Sequence, residues 1–319
     1  MATRRQFLIR AGLAAIAVGG TGLFIWQQSV FRQVIESDNL PELRPFQKKL
    51  RVQNVDTLVL DAGDGPPVLF FHGIPDTSDV WAGSILALKE RFRCIAFDMP
   101  GFGKSQLANG EEFDWSLQNR ADYVSGILEQ LDVTEPVRIV AHDAGGVWGG
   151  IFAAAYPERI ERALFSISSI HPSFEWREGA KINRIPVVGE LAMTAFNADR
   201  FVAALKDFSG PNRTEASMRQ VFSRVDGRMR KAILEFYRET EVEEFKTWHP
   251  RYLAAMKDKP VRVIWGKLNP AATPADGVRS YPTDDLIVYP DAGHWPMLEE
   301  PGMWARDVSE FMDKPARTE

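Results

Sequence analysis

At 319 residues, with 45% hydrophobic and 25% charged side chains, the chain can bury a large core, either as one domain or as a domain with a sizeable insertion, and a disordered chain is excluded. A net charge of -5, with no basic tract beyond the N-terminus, leaves no footprint for nucleic acid. Cys94 is the only cysteine, and His72, His142, His171, His249 and His294 show no metal-ligand spacing, so neither an internal disulfide nor a metal site is expected.

Thr3-Arg4-Arg5-Gln6-Phe7-Leu8, followed by an uncharged apolar run over residues 11–26, resembles a twin-arginine export signal of bacterial type. As a helix the run would measure about 24 Å, slightly short for a membrane span. Residues 1–27 are therefore read as an export signal or an uncleaved anchor, with a buried N-terminal helix as the bland alternative. Export would place the rest of the chain in the periplasm, and an anchor would hold it to the inner membrane through residues 7–26. Residues 28–47 carry mixed charge together with Pro41 and Pro45, and read as a linker.

Leu50-Arg51-Val52 and Thr57-Leu58-Val59-Leu60 alternate as an antiparallel pair of strands, and a buried strand at Val68-Leu69-Phe70-Phe71 ends in His72-Gly73-Ile74-Pro75. A helix over about 79–90, a strand at Cys94-Ile95-Ala96-Phe97 and a helix over 116–131 follow. The next strand, Ile139-Val140-Ala141, runs into His142-Asp143-Ala144-Gly145-Gly146 and a helix rich in small residues. A strand, a sharp turn and a helix make a nucleophile elbow, here carrying Asp143 in place of the commoner serine. A carboxylate so placed can attack carbon and form an ester; the structural alternative for an Asp before two glycines is a turn or a helix cap. Strands alternating with helices at this spacing indicate an α/β domain with a mainly parallel sheet.

With H-G-I-P at 72–75, D-M-P-G-F-G-K-S at 98–105, H-D-A-G-G at 142–146 and A-G-H-W-P at 292–296, the chain from about residue 50 onward resembles the α/β-hydrolases, specifically the branch with an aspartate nucleophile that includes epoxide hydrolases and haloalkane dehalogenases. The resemblance implies an eight-stranded, mainly parallel sheet flanked by helices, with a helical cap inserted. The core is assigned to residues 48–172 and 250–319, and the cap to 173–249. It also implies that the backbone N–H groups of Ile74 and Ala144 form the oxyanion hole, and that His294 is the general base. No cofactor is implied.

Within the cap, Met218, Val221, Phe222 and Val225 recur at helical spacing and read as packing, whereas Phe174, Trp176, Phe196, Phe201 and Phe208 either line a pocket or pack. Leu234-Glu235-Phe236-Tyr237-Arg238 resembles the segment of epoxide hydrolases whose tyrosine hydrogen-bonds the epoxide oxygen, which makes Tyr237 the candidate acid. Such enzymes usually use two tyrosines, and none occurs between Tyr156 and Tyr237. Asn269 stands where the family's aspartate normally orients the histidine. The reading is a hydrolase acting through an aspartyl ester on a small apolar organic substrate and water, with epoxide opening to a diol first. A haloalkane dehalogenase-like activity, and a membrane-tethered pseudoenzyme or binding homologue, are the alternatives. Ala144 and Ile74 supply none of the halide-holding side chains of dehalogenases, and Trp148 is expected to pack.

Overall fold

The computed structural model describes residues 41–108, 111–270 and 272–314. The expected export signal, its membrane-associating run and the linker up to residue 40 lie outside the described residues. Among the described residues no helix is long and apolar enough to cross a membrane. The described end of the linker is a 3-10 helix, Pro41–Phe46, that buries Leu43.

Nine strands form one sheet: β1 (Gln47–Val52), β2 (Val55–Ala62), β3 (Pro67–Phe71), β4 (Arg93–Phe97), β5 (Gln106–Leu107), β6 (Val137–His142), β7 (Ile160–Ser166), β8 (Val261–Gly266) and β9 (Leu286–Tyr289). Their order is β1-β2-β4-β3-β6-β7-β8-β9, with β5 paired to β2. The count corrects the expectation of eight: β5 spans two residues, too few for any periodicity to reveal, and adds itself to Val55 and Asp56. β1 and β2 form the expected antiparallel hairpin, β2 meets β4 and β5 antiparallel, and β4, β3, β6, β7, β8 and β9 pair in parallel in that order.

Both faces of the sheet are covered, which is why its central strands read as unbroken apolar runs. Leu69, Phe71, Ile139 and Ala141 point into one layer, with α2 (Leu117–Gln130), α3 (Ala144–Ala155) and α9 (Phe245–Met256). Val68, Phe70 and Val140 point into the other, with α1 (Ala82–Leu88) and α12 (Pro301–Asp313). The alternation follows from the two-residue period of a strand. The C-terminal ends of β3, β6 and β8 then open on one edge of the sheet, where ligands of open α/β sheets bind.

Between β7 and β8 the chain leaves the sheet for α4 (Glu178–Arg184), α5 (Val188–Ala195), α6 (Ala198–Lys206), α7 (Glu215–Ser223) and α8 (Gly227–Glu239). Asn197, Thr214 and Asp226 start the last three of these with side-chain caps on Arg200, Ser217 and Met229 N–H groups. Met218 and Val221 are buried, and Phe196, Phe201 and Phe222 pack ring against ring, so these aromatics serve the cap itself. α4 and α5 leave Ile182, Ile185, Val187, Val188 and Leu191 exposed.

Candidate active site

β6 delivers Asp143 at φ 52° and ψ -124°, a strained conformation for a residue with a Cβ, and α3 begins at the next residue. The turn fits only because the backbones crowd: a Cβ on Gly145 would lie 2.3 Å from the Phe71 carbonyl oxygen, and one on Gly73 would lie 2.7 Å from the Cβ of Asp143. Strain held this way by packed neighbours is a common mark of a functional side chain. The Asp143 side chain keeps 29% of its surface exposed, so a solute can reach it.

The two oxygens of that carboxylate face different partners. The Ile74 N–H donates to Oδ1 at 3.0 Å, and Nε2 of His294 lies 3.5 Å from Oδ2. Ala144, at the first position of α3, presents one of the N–H groups that a helix start leaves without an intrahelical acceptor. Burial raises the Asp143 pKa, but the hydrogen bond and charge of His294, with His142 and the Ile74 N–H, outweigh it and hold the carboxyl well below the usual range. Asp143 is therefore held as a carboxylate.

His294 is held at three points. Its ring Nδ1 lies 3.3 Å from Oδ1 of Asn269, and Nδ2 of Asn269 donates to the Ala272 carbonyl at 3.3 Å, which turns the amide oxygen toward the ring. Its backbone N–H donates to the Phe208 carbonyl in the cap at 2.6 Å. Glu299, 1% exposed, accepts from Gly293 N–H and Gly210 N–H at 2.6 Å each and from Trp295 N–H at 3.1 Å. Sequence reasoning missed Glu299 and the Phe208 carbonyl, because neither forms part of a motif and both act through the backbone.

His142 is a further residue of the site that the motif reading passed over. Its ring meets that of His294 with centroids 5.0 Å apart at 66°, and desolvation, with the charge of His294, pushes its pKa down to about 3. It packs beside the His294 ring as a neutral imidazole. The D-M-P-G-F-G-K-S motif proves to be scaffolding: buried Asp98 accepts from Ser78 N–H at 2.7 Å and Lys104 N–H at 2.8 Å, and Met99 N–H donates to His72 Nε2 at 3.0 Å. Asp76 ties the same loops to the base by accepting from the Trp295 indole at 2.9 Å.

From the cap, Tyr237 on α8 packs against the core layer that includes Ala144 and Val147. Desolvation first, then Asp143, raises the phenol's pKa well above its ordinary value, so it remains a proton donor. Its ring packs edge-on against Trp176 at 5.3 Å, and among the described residues its hydroxyl makes no hydrogen bond. Phe208 meets the His294 ring at 6.2 Å. Trp148 turns the other way, fully buried against Phe113, Trp115 and Tyr123. No metal-holding group of His, Cys, Asp or Glu occurs among the described residues.

The site thus brings together a carboxylate on a strained elbow, the Ile74 N–H on one of its oxygens and a histidine on the other. The family model described as alpha/beta hydrolase fold matches residues 66–301, and the chain belongs to that family. Over 174 residues it is 32% identical to a cis-3-alkyl-4-alkyloxetan-2-one decarboxylase of Shewanella oneidensis, a match covering 52% of this chain and 53% of that protein. The chain thus spans about half the length of that relative. A decarboxylase of the same name from Xanthomonas campestris is 22% identical over 80% of this chain and 91% of its own length. Among solved structures, the Cif epoxide hydrolase from Acinetobacter nosocomialis superposes with a TM-score of 0.73 at 21% identity, over 90% of this chain and 96% of that one. A haloalkane dehalogenase DbeA loop variant from Bradyrhizobium elkanii gives 0.68 at 20% identity, over 83% and 96%. These structural likenesses speak for the fold.

Proposed function

We propose that the protein is an epoxide hydrolase that works through an ester on Asp143. The observation that carries this reading is the division of labour on one carboxylate: Oδ1 sits against the Ile74 N–H and Oδ2 faces His294. Oδ2 attacks a ring carbon, the ring C–O bond breaks, and Tyr237 gives its proton to the departing alkoxide. Water, deprotonated by Nε2 of His294, then adds to the Asp143 carboxyl carbon, and Oδ1 carries the resulting negative charge in the hole formed with Ala144. Collapse expels the product alkoxide, which takes the proton from His294 and leaves as the diol; Asp143, left protonated, releases its proton to solvent, and solvent returns one to the Tyr237 phenolate.

Trp148, sunk in the core, weakens the dehalogenase alternative, because it is not available to hold a halide. A second reading has its own support: two relatives are named for oxetan-2-ones, and a four-membered lactone is another strained ring that an aspartate can open. Retention of Asp143 and His294 in contact, with Asn269 behind the histidine, speaks against a pseudoenzyme. For location, Arg4-Arg5 ahead of the run at 11–26 supports export to the periplasm or tethering at its inner face.

One turnover in isotopically heavy water is the test. The label should enter an oxygen of Asp143, seen by mass spectrometry of the peptide that contains it, because water attacks the ester carbonyl and not the alkyl carbon. Label found only in the diol would exclude the aspartyl ester. Running an epoxide, an oxetan-2-one and a haloalkane side by side separates the leaving groups.

A further inference from the structure

Arg177, the residue before α4, differs from five other arginines of the cap. Arg184 binds Glu241 and the carbonyls of Tyr237 and Thr240; Arg238 binds Glu190; Arg219 binds Asp199 and Glu215; Arg228 binds Asp226; and Arg230 binds the carbonyls of Met193 and Phe196. The Arg177 carbonyl accepts from Lys181 N–H at 2.8 Å, but among the described residues its guanidinium has no hydrogen bond and no ion pair. Its guanidinium lies over the ring of Phe208, 4.5 Å from the centroid, and the edge of that ring faces His294. The charges of Asp143 and Tyr237 both act on it, opposing the partial burial that lowers its pKa.

The cation is thus stacked toward the reacting groups, while much of its surface stays open to solvent at the cap edge. A surface arginine kept only for solubility gains nothing by lying flat on the ring that meets His294. A guanidinium held flat on an aromatic face keeps its fork of N–H groups free, and that fork matches a carboxylate. We propose that Arg177 binds a carboxylate of the substrate at the pocket mouth, so that the substrate class is an epoxide bearing an acid group. This rests on the epoxide reading above. The acid end stays at the wet rim over Phe208 and the ring reaches inward to Asp143. The arrangement also offsets the repulsion an anionic substrate would feel from the nucleophile. It differs from recognition by arginines next to the nucleophile, where this chain has Ala144 and Val147.

The experiment compares ω-epoxy carboxylates of increasing chain length with their neutral methyl amides, on the full chain and on Arg177→Gln and Arg177→Lys. The parent should favour the acid of best length over its amide. Arg177→Gln should raise KM for the acid about ten-fold with little change in kcat, leave the amide untouched, and be partly reversed in Arg177→Lys. Equal handling of acid and amide by the parent, or equal loss on both in Arg177→Gln, would overturn the proposal. Calorimetry with the saturated acid of the same length reads the anion site without turnover. Binding that Arg177→Gln abolishes supports it even if no epoxide is opened, in which case only the epoxide reading falls. Absence of binding to the parent counts against Arg177 even if neutral epoxides are opened.

Discussion

The core half of the site and the cap half are built by different means. In the core, Asp143, Ile74, Asn269 and His294 are placed by backbone turns and hydrogen bonds, at the ends of strands whose side chains are fully buried. In the cap, Tyr237 and Arg177 are placed by ring packing on Trp176 and Phe208, and the functional ends of both side chains lack protein hydrogen bonds. The cap is also less thoroughly buried, with apolar side chains from Ile182 to Leu191 left at the surface. Hydrogen-bonded groups are preorganised for one chemistry, while groups held by packing can follow the substrate. The core therefore sets what reaction occurs, and the cap sets on what.

The sharpest way to divide the halves is Tyr237→Phe. Removing the proton donor should slow ester formation about 10²- to 10³-fold on an epoxide and barely affect a haloalkane, whose leaving group needs no proton. Single-turnover kinetics on both substrates measures the split, and equal losses would place Tyr237 in packing and dissolve the division. Asn269→Asp comes next and acts only on the core side. In a serine-protease triad the reverse change costs about ten-thousand-fold, chiefly through the wrong tautomer. Here the Ala272 carbonyl already sets the amide so that its oxygen faces the His294 ring, and only the missing negative charge remains to be supplied. The steady rate should rise about ten-fold and the initial burst should stay nearly unchanged. A burst that grows with the rate would show that Asn269 serves the first step as well.

Glu299→Gln probes the seam between the halves and should have the smallest kinetic effect. A buried carboxylate that accepts from Gly210, Gly293 and Trp295 N–H groups would be replaced by an amide that turns an NH2 against one of them. The expected loss is about 2 kcal/mol, a fall of roughly 4–8 °C in Tm, with a few-fold drop in kcat. Thermal melting with no shift would mean that cap and core are joined elsewhere.

The same contrast explains what the sequence made legible. Strands buried on both faces announce themselves as apolar runs, and Asp143, His294 and the H-G-I-P turn sit in short motifs because sharp turns admit few residues. β5 is too short to carry a pattern. Phe208 was one of five cap aromatics with two open readings, and only the packing separates it and Trp176 from Phe196 and Phe201. Glu299 and Arg177 look like ordinary surface charges, since the backbone N–H groups that bury one and the ring that carries the other lie far away in the chain.

The bond from His294 N–H to the Phe208 carbonyl has a consequence for descent and for engineering. Caps are the part of such a molecule one would expect to trade between relatives, cutting where the chain leaves the sheet and where it returns. Here that cut would remove a backbone acceptor from the general base and the Gly210 N–H from Glu299, so an imported cap would arrive without the latch. The exchangeable unit is the cap together with the loop at 208–212 and its counterpart at 292–299. A recombinant that changes only one of the two loses one support of His294 before it meets a new substrate.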